Sequence, residues 1–461
     1  ITGETQTISL EVGTNTIYVK VYENGHEENN NIYEIQVTRL AEVAPPSDPP
    51  PSGGGGGGGG FIPPPSTNEE EVIVEPEDEV IIVEDENGNK TMETEISEDK
   101  LFDLLNDASL EFAEILAYNN ESEGIVGFNV NFSEKALSDI KNSDKIVKVK
   151  FKNVVFSLNS KILETLNVKG ELRISTQNID SGIIKSNEAI KGNGVSNIFD
   201  LNIFNDDERL SKINTEIPIT LIYNDSLVNN SEKAAVFYFN DETNEWKYVG
   251  GKISIDGEII FKARHFSKYA VREYNKTFED IQNHWAKNDI EILASKKITN
   301  GISETEFAPN RAISNAEFVV LLSRVLNLEK SFENVDYIDV PSTAWYNENL
   351  KDAKNSNLLK GSYESYFYPN EPIKRENMAN ILVNAYFYHT NTDESNIYIT
   401  QNIRFNDEGN ILQSLRNKVK ISNSLGLILG DDLGNFNPQD GATRAEVSAV
   451  IKRLLKLLEL M

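Results

Sequence analysis

The chain is 461 residues long, enough for two to four domains, and its 39% hydrophobic and 9% aromatic content supports real cores. A formal net charge of −29 speaks against a nucleic-acid partner, because affinity for nucleic acid rests on neutralising phosphates. With no cysteine, structural disulfides, thiolate metal sites and cysteine nucleophiles are excluded. The four histidines (His26, His265, His284, His389) form no HExxH pair, so no cofactor or metal site is expected.

The charge is unevenly spread. Residues 276–461 hold 20 Lys+Arg against 25 Asp+Glu, leaving 24 against 48 for residues 1–275, so the C-terminal part is best able to approach an anionic polymer. No apolar run reaches the ~18–20 residues of a membrane helix, and no membrane insertion is expected. The chain opens at Ile1 without a Met or a charged-then-apolar leader, which reads as a mature form or a fragment.

Within the first segment, residues 1–40, residues 6–40 alternate as strands do, with Ile17, Val19 and Val21 on one face and an Asn-Gly turn signal at 24–25. Gly13, Asn15, Ile17 and Val19, followed by Tyr33, Ile35, Val37 and Arg39, resemble the C-terminal half of the cadherin-like β-sandwich module of bacterial surface proteins. Residues 41–71 are a Pro/Gly-rich linker containing eight consecutive glycines. No strand and helix flank these glycines, so they are not a phosphate loop. The adjoining Glu69-Glu70-Glu71 lacks calcium-loop spacing and reads as solvated charge.

Residues 72–275 read as a mainly β, sandwich-like α+β module. Strand runs fall at 80–83, 125–132, 145–151, 217–223, 234–239 and 258–263, and short helices are expected to start at the cap residues Ser97, Ser133 and Asn159. The closing stretch, residues 244–271, resembles the last strands of a sandwich module often placed before cell-wall anchors. Within it, His265-Phe266-Ser267 resembles the cleavage site of autoproteolytic modules, with Ser267 as nucleophile and His265 as base. The alternative is a terminal strand in which His265 is simply hydrogen-bonded.

From residue 278 one pattern occurs three times. Aromatic-x-Asp appears as Phe278/Asp280, Tyr337/Asp339 and Phe405/Asp407. A glycine follows 21, 22 and 23 residues later (Gly301, Gly361, Gly430), then an aromatic-x-Pro with its proline eight residues on (Pro309, Pro369, Pro438). Six residues beyond each proline lies one slot, Asn315, Arg375 or Arg444. Such spacing marks an internal repeat, with copies over 276–333, 334–400 and 401–461. Each copy reads as helix, loop, helix. The second helix carries an i, i+3, i+4, i+7 apolar stripe, as in Phe318, Leu321, Leu322 and Val325. One stripe cannot cover itself, so the copies must pack together. The first helix ends near Lys297, Asn357 and Gly426, of which the last two suit a left-handed cap.

Thr443-x-x-Glu446 and Ser314-x-x-Glu317 are capping boxes. Arg444 and Arg375 are less easily explained, because a cation at a helix N-terminus opposes the dipole. Either they are tolerated surface charges, or they hold an anion beside the free helix N–H groups. The ordered set "F-x-D", "HWA", "G", "F-x-P" and "TRAE" resembles the S-layer homology (SLH) domain, here in three repeats. That resemblance implies an all-α pseudo-threefold bundle anchoring an extracellular protein non-covalently to the bacterial cell wall. Its partner would be a secondary cell-wall polysaccharide whose pyruvate-ketal carboxylates meet the arginines in inter-repeat grooves; other S-layer subunits are further candidate partners. Carried over by position, the glycan-binding residues are Arg444, Arg375 and Lys374; Trp285 and Trp345, which alternatively pack in the core; Asp280, Asp339 and Asp407, which alternatively tie loops; and Gly301, Gly361 and Gly430, which permit close backbone approach or alternatively supply turns. Asn315 replaces the arginine in copy one, copy two keeps Arg375 and adds Lys374 but has no capping box, and copy three lacks the tryptophan, so one or two working grooves are expected. The N-terminal modules then serve as a stalk and the chain is not itself an enzyme. The rival readings are self-cleavage at Phe266-Ser267 and the anchor region of a larger glycan hydrolase or adhesin.

Overall fold

A computed structural model describes residues 13–23, 26–39, 73–74, 81–118, 124–181, 184, 193–210, 213–253, 257–328, 330–331, 333–397 and 404–461. The expected turn at 24–25, the linker and the Glu69–Glu71 cluster lie outside them. Contacts divide the chain into Ile1–Glu69 and Glu70–Met461. In the first unit, strands Gly13–Glu23 and His26–Arg39 pair antiparallel, Gly13 opposite Arg39 and Ile17 opposite Ile35.

The second unit begins with two mixed sheets. One runs in the order 245–250, 234–240, 268–273, 198–205, 172–179, 125–132, 90–95, 81–84; the other in the order 252–253, 258–263, 217–222, 154–158, 146–151, 112–116, 73–74. Most neighbours are antiparallel, but 90–95 pairs parallel with 125–132, and 112–116 with both 146–151 and 73–74. Phe128, Phe132, Ile174 and Leu201 from the first sheet and Phe151, Phe156, Ile219 and Phe261 from the second share one buried core. The helices α1 (Glu98–Asn106), α2 (Glu134–Lys141) and α3 (Ser160–Leu166) start at Ser97, Ser133 and Asn159, whose side chains accept from the first-turn amides.

Helices follow from residue 287: α4 (Lys287–Ser295) and α5 (Asn315–Leu326) in copy one, α6 (Asn347–Asn355) and α7 (Arg375–Thr390) in copy two, and α8 (Arg416–Ser424) and α9 (Arg444–Leu457) in copy three. Each shorter helix closes the same way. The amides of Lys297, Asn357 and Gly426 bond back to Ala294, Lys354 and Asn423. Those of Ile298, Leu358 and Leu427 bond to Leu293, Ala353 and Ser422. This is the Schellman pattern, which needs a left-handed residue. All three closing residues have it, Lys297 at φ 58° included, although the sequence suggested it only for Asn357 and Gly426.

The sheets and helices are not separate bodies. Strand 234–240 sends Ala234 and Val236 into the sheet core and Ala235, Phe237 and Phe239 into a second core, shared with Leu293, Phe318, Leu382 and Leu455 of the helices. A strand covered on both faces must read as a continuous apolar run, which explains "AAVFYF". Polar contacts ring this joint. Tyr248 Oη donates to Leu460 O at 3.0 Å, Arg264 Nη1 to Asn327 O at 2.9 Å and Lys296 Nζ to Ala234 O at 2.9 Å. Glu232 pairs with Lys452 at 3.1 Å and Lys456 at 2.7 Å.

Candidate functional site: the joints between the three copies

The loop before each second helix is built around its aspartate. Asp280 accepts from the amides of Phe307 and Ala308 at 2.9 and 2.6 Å. Asp339 does the same with Phe367 and Tyr368 (2.9 and 2.7 Å), and Asp407 with Phe436 and Asn437 (2.8 and 2.7 Å). The second residue of each pair is left-handed, at φ 58°, 55° and 56°. Non-glycine residues hold that conformation only where the surroundings over-determine it, and two amides on one carboxylate do so. The three aspartates thus tie the aromatic-x-Pro loops rather than open into a groove. Two of the three glycines press against the same loops. A Cβ on Gly301 would lie 2.5 Å from Phe278 and 2.4 Å from the Ser303 carbonyl, and one on Gly430 would lie 2.9 Å from Phe405. Gly361 and Gly430 are left-handed, at 86° and 85°, so Gly301 is required by close approach, Gly361 by its turn and Gly430 by both.

The loops join the copies in a closed cycle. Ile373 N donates to Ile313 O, Ala442 N to Ile373 O and Ile313 N to Ala442 O, each at 3.0 Å. The first two amides of each long helix are also taken by the next copy. Asn315 and Ala316 donate to Glu371 O and Pro369 O, Arg375 and Glu376 to Asp440 O and Pro438 O, and Arg444 and Ala445 to Arg311 O and Pro309 O. The helix mouths that looked free for an anion are therefore filled by backbone carbonyls. The N-cap side chains add their share. Ser314 with Glu317 and Thr443 with Glu446 form reciprocal capping boxes, whereas Lys374 makes no cap bond and its Nζ donates to Gln439 Oε1 at 2.8 Å.

The slot residues cross the same joints. Asn315 Nδ2 donates to Tyr368 O at 2.8 Å, Arg375 Nε to Phe436 O at 2.9 Å and Arg444 Nε to Phe307 O at 2.9 Å. Arg444 adds a bond from Nη2 to Asn300 O at 2.6 Å, lies 4.3 Å from the Phe307 ring centroid, and is 8% exposed. The arginine assigned from sequence to an external carboxylate thus spends Nε and Nη2 on the next copy's carbonyls, whose partial negative charge offsets the unfavourable helix mouth. Arg375 is more open. Its Nη1 meets Glu446 Oε1 at 3.3 Å, and it lines a cavity of about 340 Å³ with Trp285, Gly430, Asp431 and Arg453.

Trp285 and Trp345 are each 66% exposed, which removes core packing as their role. They stand two residues before α4 and α6; the residue two before α8 is the exposed Ser414. A second groove, of about 810 Å³, surrounds Asn315, Tyr363, Tyr368, Lys374 and Gln439. Sequence reasoning missed Arg453, whose Nη1 donates to Leu427 O at 2.9 Å, and Arg324, which makes the matching bond to Ile298 O. Both lie nine residues past their slots, where copy two has Asn384, so the repeat alignment carried the signal. At the other candidate, Ser267 Oγ donates to Phe239 O at 3.1 Å and the Tyr269 hydroxyl donates to His265 O at 2.6 Å, with no His265–Ser267 bond among the described contacts.

The family model for the S-layer homology domain matches residues 277–319, 337–379 and 404–448. Among curated proteins the chain is similar to an amylopullulanase of Thermoanaerobacterium thermosulfurigenes (34% identity; 72% of this chain, 19% of that protein). It is also similar to the exoglucanase XynX of Acetivibrio thermocellus (31%; 52% and 21%) and the S-layer protein sap of Bacillus anthracis (28%; 39% and 21%). The chain spans about a fifth of these relatives' lengths. The amylopullulanase match covers more than residues 276–461 can supply, so it extends into the sheets.

Proposed function

Because this cell-surface chain carries three S-layer homology domains at its C-terminal end, we propose that residues 276–461 are a non-covalent anchor to a secondary cell-wall polysaccharide. In this reading the three copies form a pseudo-threefold ring, and the groove of Trp285, Arg375 and Arg453 takes the glycan. The observation that carries it is the exposed Trp285 indole beside two guanidiniums in one cavity. An indole face stacks on a sugar ring, and a guanidinium fork fits the carboxylate of a pyruvate ketal. Residues 72–275 are a sandwich-like module, 41–71 a linker and 1–40 a piece of a cadherin-like module, together a stalk. The hydrolase relatives favour a larger surface enzyme or adhesin of which this is the anchor end. Self-cleavage at Phe266-Ser267 is disfavoured by the engagement of the Ser267 hydroxyl with Phe239 O.

Sedimentation of the whole chain with purified cell-wall sacculi tests the anchor. Binding is expected to fall about tenfold in Trp285→Ala, a loss of roughly 1.4 kcal/mol, and to be largely lost on depyruvylated wall. Undiminished binding by Trp285→Ala and Arg375→Ala, to wall with or without pyruvate, would refute this groove as the site.

A further inference from the structure

The repeat alignment shows what copy one does with the residues that line the groove of copy three. Thr299, Asn300, Gly301 and Arg324 of copy one correspond to Ile428, Leu429, Gly430 and Arg453, which line the Trp285 groove in copy three. In copy one the same four residues line a different space. It is a cleft of about 600 Å³ whose opposite wall is the sheet module, through Tyr238, Glu245, Trp246 and Lys247.

Resting on the anchor reading, we propose that this composite cleft is a second saccharide site, for an acidic segment of the polymer, to which the sheet module contributes directly. Its charge favours an anion more than the Trp285 groove does. Lys247, Lys276, Lys297 and Arg324 line it against Glu245 and Glu304, an excess of two cations in a chain of net charge −29. Around Trp285, Arg375 and Arg453 face Asp431, Asp440 and Glu446, an excess of one acid.

Three of the four cations are also the better fixed partners. Lys276 Nζ donates to Glu304 O at 2.7 Å, Lys297 Nζ to Trp246 O at 3.2 Å and Arg324 Nη1 to Ile298 O at 3.4 Å. The acids end in solvent, the Glu304 side chain 86% and that of Glu245 47% exposed. Exposed ion pairs contribute little, so a polymer carboxylate can displace these two at small cost and meet a pre-formed basic floor. A volume of about 600 Å³ lies within the ordinary range for a small-ligand site.

The test is equilibrium titration of the intact chain with a tetrasaccharide of uronic acids and with its carboxyl-reduced, neutral counterpart. The wild type is expected to bind the acidic probe at two sites. Lys247→Ala combined with Lys276→Ala should weaken one of them about tenfold and reduce its salt dependence, and Trp285→Ala should weaken the other. Neutral probe should not enter the cleft. If the double lysine variant binds as wild type while Trp285→Ala loses all binding, the cleft proposal is overturned and the groove reading stands. If binding is lost with the lysines and indifferent to Trp285, the cleft stands and the groove reading falls. Absence of any binding to the acidic probe overturns both.

Discussion

Copy one and its two sister copies solve the same problem with different residues, and the differences follow from what each copy touches. At the joints from copy two to three and from copy three to one, an arginine reaches the aromatic carbonyl of the next loop. At the joint from copy one to two, the shorter Asn315 does this, and its Oδ1 accepts from the Tyr363 hydroxyl at 2.6 Å, a tyrosine without counterpart at Ser303 or Asp432. The joint is repaired from the other side rather than left open. At the end of its first helix copy one has Lys296-Lys297 where its sisters have Ser356-Asn357 and Leu425-Gly426, and both lysines bond to carbonyls of the sheet module. Repeats with one backbone plan diverge where their neighbours differ.

The largest effect should come from the joints. Arg444→Ala leaves two carbonyls without their charged donor, and at about 1.5–3 kcal/mol per charge-assisted bond the expected loss is about 3 kcal/mol. Arg375→Ala, with a more open guanidinium, should cost about 2 kcal/mol and Asn315→Ala about 1 kcal/mol. Urea unfolding of the three variants gives the order. Equal losses for Asn315 and Arg444 would show that the joints do not differ as their contacts indicate.

A smaller effect separates the helix ends. Asn357→Gly relieves a left-handed residue and should stabilise by about 0.5 kcal/mol. Lys297→Gly relieves the same strain but removes the bond to Trp246 O and the ammonium 4.6 Å from the Tyr274 ring. A net loss of about 1 kcal/mol is expected there. If both glycine variants gain stability, Lys297 is not a clamp between the modules.

Much of this was legible beforehand, for local reasons. Ser97, Ser133 and Asn159 act as caps because a side-chain oxygen three residues before an amide needs no tertiary help. The strand runs showed by their period, and the repeat by its spacing. What was not legible was which copy adjoins which, since spacing says nothing of neighbours. The partners of Arg444 were hidden for the same reason, because backbone carbonyls 137 and 144 residues away leave no mark in sequence. The docking of sheet on helices did leave one. The unbroken "AAVFYF" is what a strand with two covered faces requires.

The subtlest difference between the copies is a titration. Lys296 is 1% exposed, donates to Ala234 O, and lies 5.8 Å from the Tyr248 ring; burial pushes its pKa down to about 7, with Glu232 opposing. The unfolded chain holds this proton up to about pH 10.4. Between pH 7 and that value the unfolded state therefore binds more protons than the folded one, and stability rises with pH across the window. Below pH 7 both states carry the proton and this contribution to the slope vanishes. Lys296→Met removes the group while keeping a long apolar stem, so the melting temperature of the wild type should climb relative to that of the variant between pH 7 and 9. Ser356 and Leu425 hold the equivalent places in copies two and three and cannot titrate in this range. Parallel profiles for wild type and Lys296→Met would mean that the buried ammonium is fully compensated by its carbonyl and Glu232, and that copy one differs from its sisters in packing but not in charge.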